Sequence, residues 1–429
     1  MSVLKRNGLV VICVLFVIVA LLAGSAVAQG TGGTIKIGGL WPLSGGASSI
    51  GTEQRDGMQF AIDEINAGGG IKSMGGAKLE AVYADTQSRP DVAVSQADRL
   101  LGKDKVAMLI GAYRSADTFP VTDVAERYGV PMLAQGAVKD EITERHYKNV
   151  FRINNKASFD VNEMTTSLAL FAKEKKMQVK TIGFVYESTD WGADTAKIMR
   201  EYAKKVGWNE VLAEPVTSGQ TDMSPIILKI KRTNPDVLFL ALYTPEHILF
   251  NKAYAANKVM IKFGLWSAGA GSEDPAFYKV VPNSMTEYMF VQDDWDTGGP
   301  AREPWKAKIA KACKDKYGYA MGTYWAEGYV SAYVAKSIFE AARSTDPAVI
   351  RKAASEIDIT SGPALLVGYQ QIKFDENGQN IYAHGTISQR QGGKRIVLWP
   401  DKNKTPGADV ILPIPDWANR KTVAGYSEY

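Results

Sequence analysis

The side chains that most often carry out catalysis are few in this sequence and form no catalytic pattern. The three histidines, His146, His247 and His384, are far apart and lack the spacing of metal ligands. The chain has no Gly-x-x-x-x-Gly-Lys-Ser/Thr loop, no Gly-x-Gly-x-x-Gly after a predicted strand and no Gly-x-Ser-x-Gly elbow. We therefore expect no catalytic residue, no metal site and no cofactor, and a protein that binds a ligand without converting it.

Residues suited to holding a small anion follow two of the predicted strands. Ser115 begins a predicted helix, where its hydroxyl and the free N–H groups can bind a carboxylate. An N-cap serine that touches no ligand is an equal alternative. Arg114 can add a guanidinium to the same anion, but an exposed Arg114 paired with Asp117 explains the sequence as well. Gly136 follows the next strand, at the same edge of the sheet.

Aromatic residues also follow the predicted strands. They are Trp41, Tyr113, Trp191, Tyr243 and Trp266. Each of them alone is more often explained by core packing, because large rings contribute strongly to protein cores. Five rings at strand ends nevertheless favour the apolar walls of a ligand cleft.

These residues can form one binding site only if the strands that they follow end at the same edge of a sheet. Strands are predicted at residues 35–40, 78–85, 106–110 and 130–134, and again at 181–186, 211–214, 236–242 and 262–266. Between them the apolar residues follow the helical period, as at Met58, Ala61, Ile62 and Ile65. The alternation predicts two doubly wound α/β units. In such sheets ligands bind beyond the carboxyl ends of the strands.

The first 28 residues predict a cleaved export signal. Lys5 and Arg6 precede an apolar run of 15 residues, 9–23, which is shorter than the roughly 20 residues that span a membrane. The run is followed by Ala26-Val27-Ala28, which predicts cleavage near Ala28 and a periplasmic protein. Removing Lys5 and Arg6 leaves 48 basic against 46 acidic residues, a balance that argues against nucleic-acid binding. Cys313 then remains as a single cysteine, so we expect no internal disulfide.

Three segments resemble the periplasmic leucine/isoleucine/valine-binding proteins of ABC importers. They are residues 35–51 (IKIGGLWPLSGGASSIG), 57–71 (GMQFAIDEINAGGGI) and 109–115 (LIGAYRS). The similarity continues through Tyr186, Trp191 and Tyr243 to about residue 400. The Pro-Leu-Ser-Gly turn, with the Asp-Glu-Ile-Asn and Gly-Gly-Ile that follow, is fairly specific to this receptor family.

The resemblance implies two α/β lobes joined by three crossovers, with the ligand cleft between them. The first lobe would comprise residues 34–156 and 293–362, and the second 157–292 and 363–400. The prolines from Pro400 onward separately predict an irregular tail at 401–429. Such receptors deliver a small molecule to membrane permease subunits that a cytoplasmic ATPase drives. We expect a monomer in this role.

The resemblance also implies roles for particular residues. The position of Ser115 binds the ligand carboxylate, assisted by backbone near Gly136 and by a threonine hydroxyl where this chain has Val138. The position of Trp191 is an aromatic wall, and the region of Tyr324 supplies another. The position of Tyr243 contacts the ligand ammonium.

One departure from the family concerns the acidic residue that pairs with the ligand ammonium. Its position falls at or next to Ser267, and no Asp or Glu stands between Trp266 and Ser272. Asp190 or Glu187, on the facing loop, could replace it. Branched-chain or other apolar amino acids are the leading ligands, with aromatic acids and short amides as near-equal alternatives. A soluble receptor that serves a separate signalling partner is a further alternative.

Overall fold

The computed structural model describes residues 32–421 and 425–426. The predicted signal peptide, residues 1–28, lies outside the described residues. No helix in the described part of the chain combines the length and the apolar character needed to cross a membrane.

A five-stranded parallel sheet forms the centre of the first lobe. Its strand order is β2-β1-β3-β4-β5. The strands are β1 (Thr34–Trp41), β2 (Lys78–Asp85), β3 (Met108–Ala112), β4 (Met132–Gln135) and β5 (Val150–Arg152). The helices that follow β1 to β4 are α1 (Ser48–Ala67), α2 (Pro90–Gly102), α3 (Ser115–Tyr128) and the short α4 (Glu141–Glu144). Every residue of β3 and β4 is buried, as expected for parallel strands covered on both faces.

A seven-stranded sheet forms the second lobe, in the order β14-β13-β10-β9-β8-β6-β7. The strands are β6 (Thr181–Glu187), β7 (Asn209–Val216), β8 (Val237–Ala241), β9 (Leu265–Ser267), β10 (Phe290–Asp293), β13 (Thr386–Gln391) and β14 (Lys394–Trp399). The helices are α5 (Ala157–Glu174), α6 (Asp190–Val206), α7 (Ser224–Thr233), α8 (Thr244–Ala256), α9 (Pro275–Val280) and α10 (Asn283–Thr286). Strands β6 to β10 are parallel, whereas β13 and β14 extend the sheet in antiparallel fashion.

The chain returns to the first lobe after β10. The returning elements are α11 (Gly299–Arg302), α12 (Pro304–Tyr317), α13 (Thr323–Ala342), α14 (Pro347–Glu356) and the short strands β11 (Asp358–Ile359) and β12 (Ile372–Lys373). Helix α13 packs against α1 at two glycines. A Cβ atom at Gly57 would lie 1.9 Å from the Trp325 carbonyl oxygen, and one at Gly328 would lie 1.9 Å from that of Gln54. The two helices can approach this closely only because both positions lack a side chain.

Two doubly wound α/β lobes are therefore present, and the predicted fold class is confirmed. The last lobe boundary differs from the sequence prediction. We assigned residues 363–400 to the second lobe, but Leu366, Val367, Phe374 and Ala383 are buried in the apolar core of the first. The ring of Phe374 lies 5.3 Å from that of Phe151 on β5. Burial of these side chains against the first lobe moves the third crossover to the stretch just before β13.

Between residues 401 and 421 the chain forms no helix or strand, although Val410, Leu412 and Ile414 are buried in the core of the second lobe.

Candidate functional site

A cavity of about 50 Å³ lies between the lobes, where the carboxyl ends of the strands in both sheets meet. The first lobe and the helix α13 that returns to it contribute Tyr113, Ser115, Gly136, Val138, Asn154, Thr323, Tyr324 and Glu327. The second lobe contributes Trp191, Tyr243, Ala268, Gly269, Ala270, Glu273 and Gln292, and residues at the first two crossovers contribute Asn155, Asp160 and Asp294.

The end of the cavity in the first lobe is formed by the N-terminus of α3. Ser115 is the first residue of this 14-residue helix and is 2% exposed. Its hydroxyl oxygen accepts a hydrogen bond from the Lys139 backbone N–H at 3.2 Å, which leaves the hydroxyl proton for a ligand. The helix dipole and the free N–H groups of the first turn favour an anion at this point.

Gly136 lies beside Ser115 in the loop after β4. Its backbone φ is 83°, and a Cβ atom there would lie 2.7 Å from the Tyr113 ring. Its N–H donates to Asn154 Oδ1 at 2.9 Å. A side chain at this position would therefore displace the ring that lines the cavity.

Arg114 does not line the cavity. Its guanidinium donates to the Ser88 carbonyl oxygen, lies 3.4 Å from Asp117 Oδ1 and stacks 5.3 Å from the centre of the Tyr243 ring. The pairing with Asp117 that the sequence analysis weighed is present, but the side chain is largely buried instead of exposed. Arg114 therefore supports Tyr243 from outside the cavity and does not reach a ligand directly.

Aromatic rings from both lobes meet across the cavity. The Tyr113 and Tyr324 rings of the first lobe are in edge contact, with their centres 5.4 Å apart. The Trp191 and Tyr243 rings of the second lobe are 4.9 Å apart, and Tyr113 lies 6.3 Å from Tyr243. The four rings, two from each lobe, therefore line one shared space.

Glu273 supplies an acidic group that the sequence analysis missed. It lies in the second lobe and is 5% exposed, and Tyr324 of the first lobe donates a hydrogen bond to its Oε2 at 2.7 Å. Burial raises the pKa of Glu273 well above its ordinary value. Glu273 stands one residue beyond the interval from Trp266 to Ser272, because the loop after β9 lines the cavity from Ala268 onward and reaches this acid only after a short 3₁₀ turn, residues 270–272.

Three further carboxyl groups line the cavity. Asn155 Nδ2 donates to both Asp160 and Asp294, the latter at 2.8 Å, and Tyr369 donates to the other oxygen of Asp294 at 2.7 Å. Glu327, one turn after Tyr324 on α13, accepts from Gln54 at 2.9 Å. Burial raises the pKa of Asp294 to about 7 and those of Asp160 and Glu327 well above the ordinary range.

Besides Arg114, three residues predicted to bind the ligand lie away from the cavity. Trp41 is fully buried in the core of the first lobe, because it is the last residue of β1 and its ring points into that core. The Ser267 hydroxyl is 2.7 Å from the Ser272 hydroxyl and closes the loop after β9. Asp190 lies at the rim, 3.6 Å from Lys139 Nζ, and is 40% exposed. Trp266, also considered as a wall, stacks on Phe290 at 4.2 Å inside the second lobe.

Polar contacts join the lobes around the cavity. Lys139 of the first lobe places Nζ 2.6 Å from Asp194 Oδ2 of the second. On another side, Ser49 of α1 donates to Asp274 of the second lobe at 2.8 Å. Together with the Tyr324–Glu273 hydrogen bond, these contacts bridge the two lobes.

The described residues contain no group of three or more His, Cys, Asp or Glu side chains arranged to hold a metal ion. His247 is fully buried, and burial lowers its pKa to about 3, so it stays neutral at physiological pH. The side chains gathered at the cavity can hold a charged ligand, and we find no paired nucleophile and base among them.

Comparison with known proteins identifies the family of this chain. Residues 34–390 match the family model described as periplasmic binding protein. The Leu/Ile/Val-binding protein homolog 7 of Brucella abortus (strain 2308) is 31% identical over 395 residues, which cover 90% of this chain and 95% of that protein. The chain therefore belongs to the periplasmic binding protein family, and the resemblance noted in the sequence is confirmed.

Solved structures share the fold at lower identity. A leucine-binding protein LivK from Thermotoga maritima has a TM-score of 0.72 and 22% identity, and the match covers 85% of this chain and 98% of that one. LivJ from Streptococcus pneumoniae, in complex with isoleucine, has a TM-score of 0.70 and 22% identity, covering 89% and 100%. A solute-binding protein from R. palustris in complex with benzoate has a TM-score of 0.70 and 18% identity, covering 85% and 96%.

Proposed function

We propose that this protein is the periplasmic receptor of an ABC importer and that it closes around an α-amino acid. The observation that carries this proposal is that hydrogen-bond donors and an acidic acceptor face the cavity from opposite lobes. Ser115 and the N-terminus of α3 offer donors for a carboxylate, and Glu273 in the opposite lobe offers an acceptor for an ammonium. A zwitterion satisfies both ends at once, and only when the lobes are closed.

The acidic groups argue against the alternative of an aromatic acid. Benzoate, the ligand of the R. palustris protein, carries one carboxylate and no cation. Four buried carboxyl groups line the cavity of this chain, and an aromatic acid would add a fifth without bringing a cation. A short amide adds no acid but leaves the donors at Ser115 without an anion. An α-amino acid, the ligand class of the isoleucine-bound LivJ, fits both features.

The same cavity supports binding without chemical conversion. The ligand would be enclosed by hydrogen-bond donors, carboxyl groups and rings that position it but have no paired nucleophile and base. Export to the periplasm and delivery to permease subunits complete the proposed role. Deletion of the gene in its native host should abolish high-affinity uptake of the ligand that the protein binds.

Binding of analogues tests the proposal. The mature chain, unfolded and refolded to remove bound ligand, is titrated calorimetrically with L-leucine, L-valine, L-lysine and L-arginine, and bound material is analysed by mass spectrometry. At least one amino acid should bind with one site per chain and be recovered unchanged. For that amino acid, the matched analogues lacking the ammonium or the carboxylate should bind at least about tenfold more weakly, since each loses a charge-assisted hydrogen bond. Equal binding of an analogue that lacks the ammonium would refute the zwitterion.

A further inference from the structure

The cavity contains more acidic groups than a simple amino acid can neutralise. Asp160, Glu273, Asp294 and Glu327 are 4%, 5%, 8% and 3% exposed, respectively. None of the described residues that line the cavity is Lys, Arg or His. A zwitterion brings one ammonium together with one carboxylate, so it leaves the net charge of the cavity unchanged. Burial raises the pKa of all four groups, and a cation bound among them would favour their charged forms.

The four acids form two groups by their contacts. Asp160 and Asp294 share the side-chain amide of Asn155, at the crossovers. Glu273 and Glu327 lie on the two sides of the cleft: Glu273 accepts from the Tyr324 hydroxyl, and Glu327 lies one turn after Tyr324 on α13. The cavity therefore has two acidic regions, one at the crossovers and one beside the tyrosines.

One carboxylate oxygen at the crossovers lacks a hydrogen-bond donor. Asp160 accepts at Oδ1 from Asn155, and no donor among the described residues reaches its Oδ2. Asp160 is 4% exposed and lines the cavity. Glu273 accepts at Oε2 from Tyr324, and its carboxyl group also interacts with that of Asp293. Acceptors inside a protein normally have partners, so Asp160 Oδ2 indicates a donor that a ligand supplies.

The bases behind the cavity walls do not fill this need. Arg152 lies near Asp160, but its N–H groups donate to Gln379, to Thr143 and to two backbone carbonyl oxygens. Arg395 pairs with Asp293, which lies outside the lining. Neither guanidinium lies among the residues that line the cavity.

We propose that the cavity selects an α-amino acid whose side chain carries a second cationic group, an ammonium or a guanidinium. This inference rests on the proposed function and narrows its substrate class. The carboxylate binds at Ser115, one cation binds in each acidic region, and the rings of Tyr113, Trp191 and Tyr243 pack against the ligand between them. Aromatic faces also attract cations directly. An apolar amino acid would leave one acidic region without a counter-charge.

Isosteric pairs of ligands test the inference on the unmodified protein. The refolded mature chain is titrated with L-lysine and L-norleucine, and with L-arginine and L-citrulline, which differ mainly in the side-chain charge. The cationic member of at least one pair should bind at least about tenfold more tightly, because it adds charge-assisted hydrogen bonds to buried carboxylates. Norleucine or leucine binding as tightly as lysine, with citrulline matching arginine, would overturn the inference and leave the amino acid receptor intact. No binding of any α-amino acid would refute the inference and the proposed function together.

Isosteric variants then locate the second cation. Asp294→Asn and Asp160→Asn keep the shape of each side chain and remove its charge. Each should lower the ratio of affinities for lysine over norleucine, or for arginine over citrulline, by at least about fivefold. Asp222→Asn, at an exposed position in the second lobe, should leave the ratio unchanged. A ratio that stays constant in both cavity variants, with thermal unfolding showing that they are folded, would overturn the assignment.

Discussion

The ion pair between Lys139 and Asp194 gives a quantitative prediction about closure. Lys139 Nζ lies 2.6 Å from Asp194 Oδ2 and 3.6 Å from Asp190 Oδ2, so one lysine of the first lobe faces two carboxylates of the second. The side chains of Lys139 and Asp194 are 11% and 21% exposed. Since the contact joins the lobes, it contributes to ligand affinity through the closed state alone.

Replacing Lys139 by methionine keeps the length of the side chain and the backbone N–H that donates to Ser115, and it removes the charge. Exposed ion pairs contribute about 0.2 to 1 kcal/mol. The upper end of this range of free energies applies to Lys139, because its pair with Asp194 is mostly buried and the lysine faces two carboxylates. We therefore expect the dissociation constant to rise about fivefold, which corresponds to about 1 kcal/mol.

Calorimetric titration with the amino acid that binds the wild-type protein measures this effect. Lys175→Met is the matched control, because Lys175 pairs with Asp409 at 2.7 Å within the second lobe and does not bridge the cleft. In a double-mutant cycle, Asp194→Asn should have little further effect once Lys139 is methionine. If Lys139→Met binds as tightly as Lys175→Met, the ion pair does not stabilise closure and the reasoning is wrong.

Three further predictions follow from single residues. Ser115→Ala should weaken amino acid binding about tenfold or more, by loss of a hydrogen bond to a charged group, whereas Ser224→Ala, at the exposed start of α7, should not change titrations. Burial raises the pKa of Asp117 to about 6, above the value of about 3.9 in an unfolded chain. The stability that its protonated form contributes is therefore present below pH 4 and lost as the pH rises through 6. Chemical denaturation measures the free energy of unfolding at pH 4 and at pH 7. The stability of Asp117→Asn relative to wild type should be greater at pH 7 than at pH 4. Cys313 is fully buried, and burial raises the pKa of its thiol; it should react with a thiol reagent only after unfolding, and fast reaction of the native protein would contradict this placement.

The sequence by itself determined the repeating order of strands and helices and the sheet edge at which the cavity lies. Parallel strands are buried on both faces, so they appear as continuous apolar runs, and the intervening helices show a clear 3.6-residue period. Ser115, Gly136 and Tyr243 could be placed because each follows such a strand directly. In these cases local periodicity fixes the position of the residue, and the topology rule fixes its surroundings.

Local periodicity could not place short strands, or segments that pack on a lobe far from them in the sequence. Strand β10 has four residues, and residues 363–383 pack on the first lobe through contacts with distant parts of the sequence. Trp41 shows the same limit on a smaller scale. It occupies a strand end as predicted, but the alternation of side chains along the strand turns its ring into the core.

The acidic character of the cavity was decided by tertiary structure alone. Asp160, Glu273, Asp294 and Glu327 are separated by up to 167 positions in the sequence, and they come from both lobes and two crossovers. No local pattern links them, since each is an ordinary acidic residue in its own segment. The two lobes close on one small space, where each carboxyl group loses its water and meets the others. The shared burial of the four groups, their raised pKa values and their proposed selectivity for a ligand follow from this closure alone.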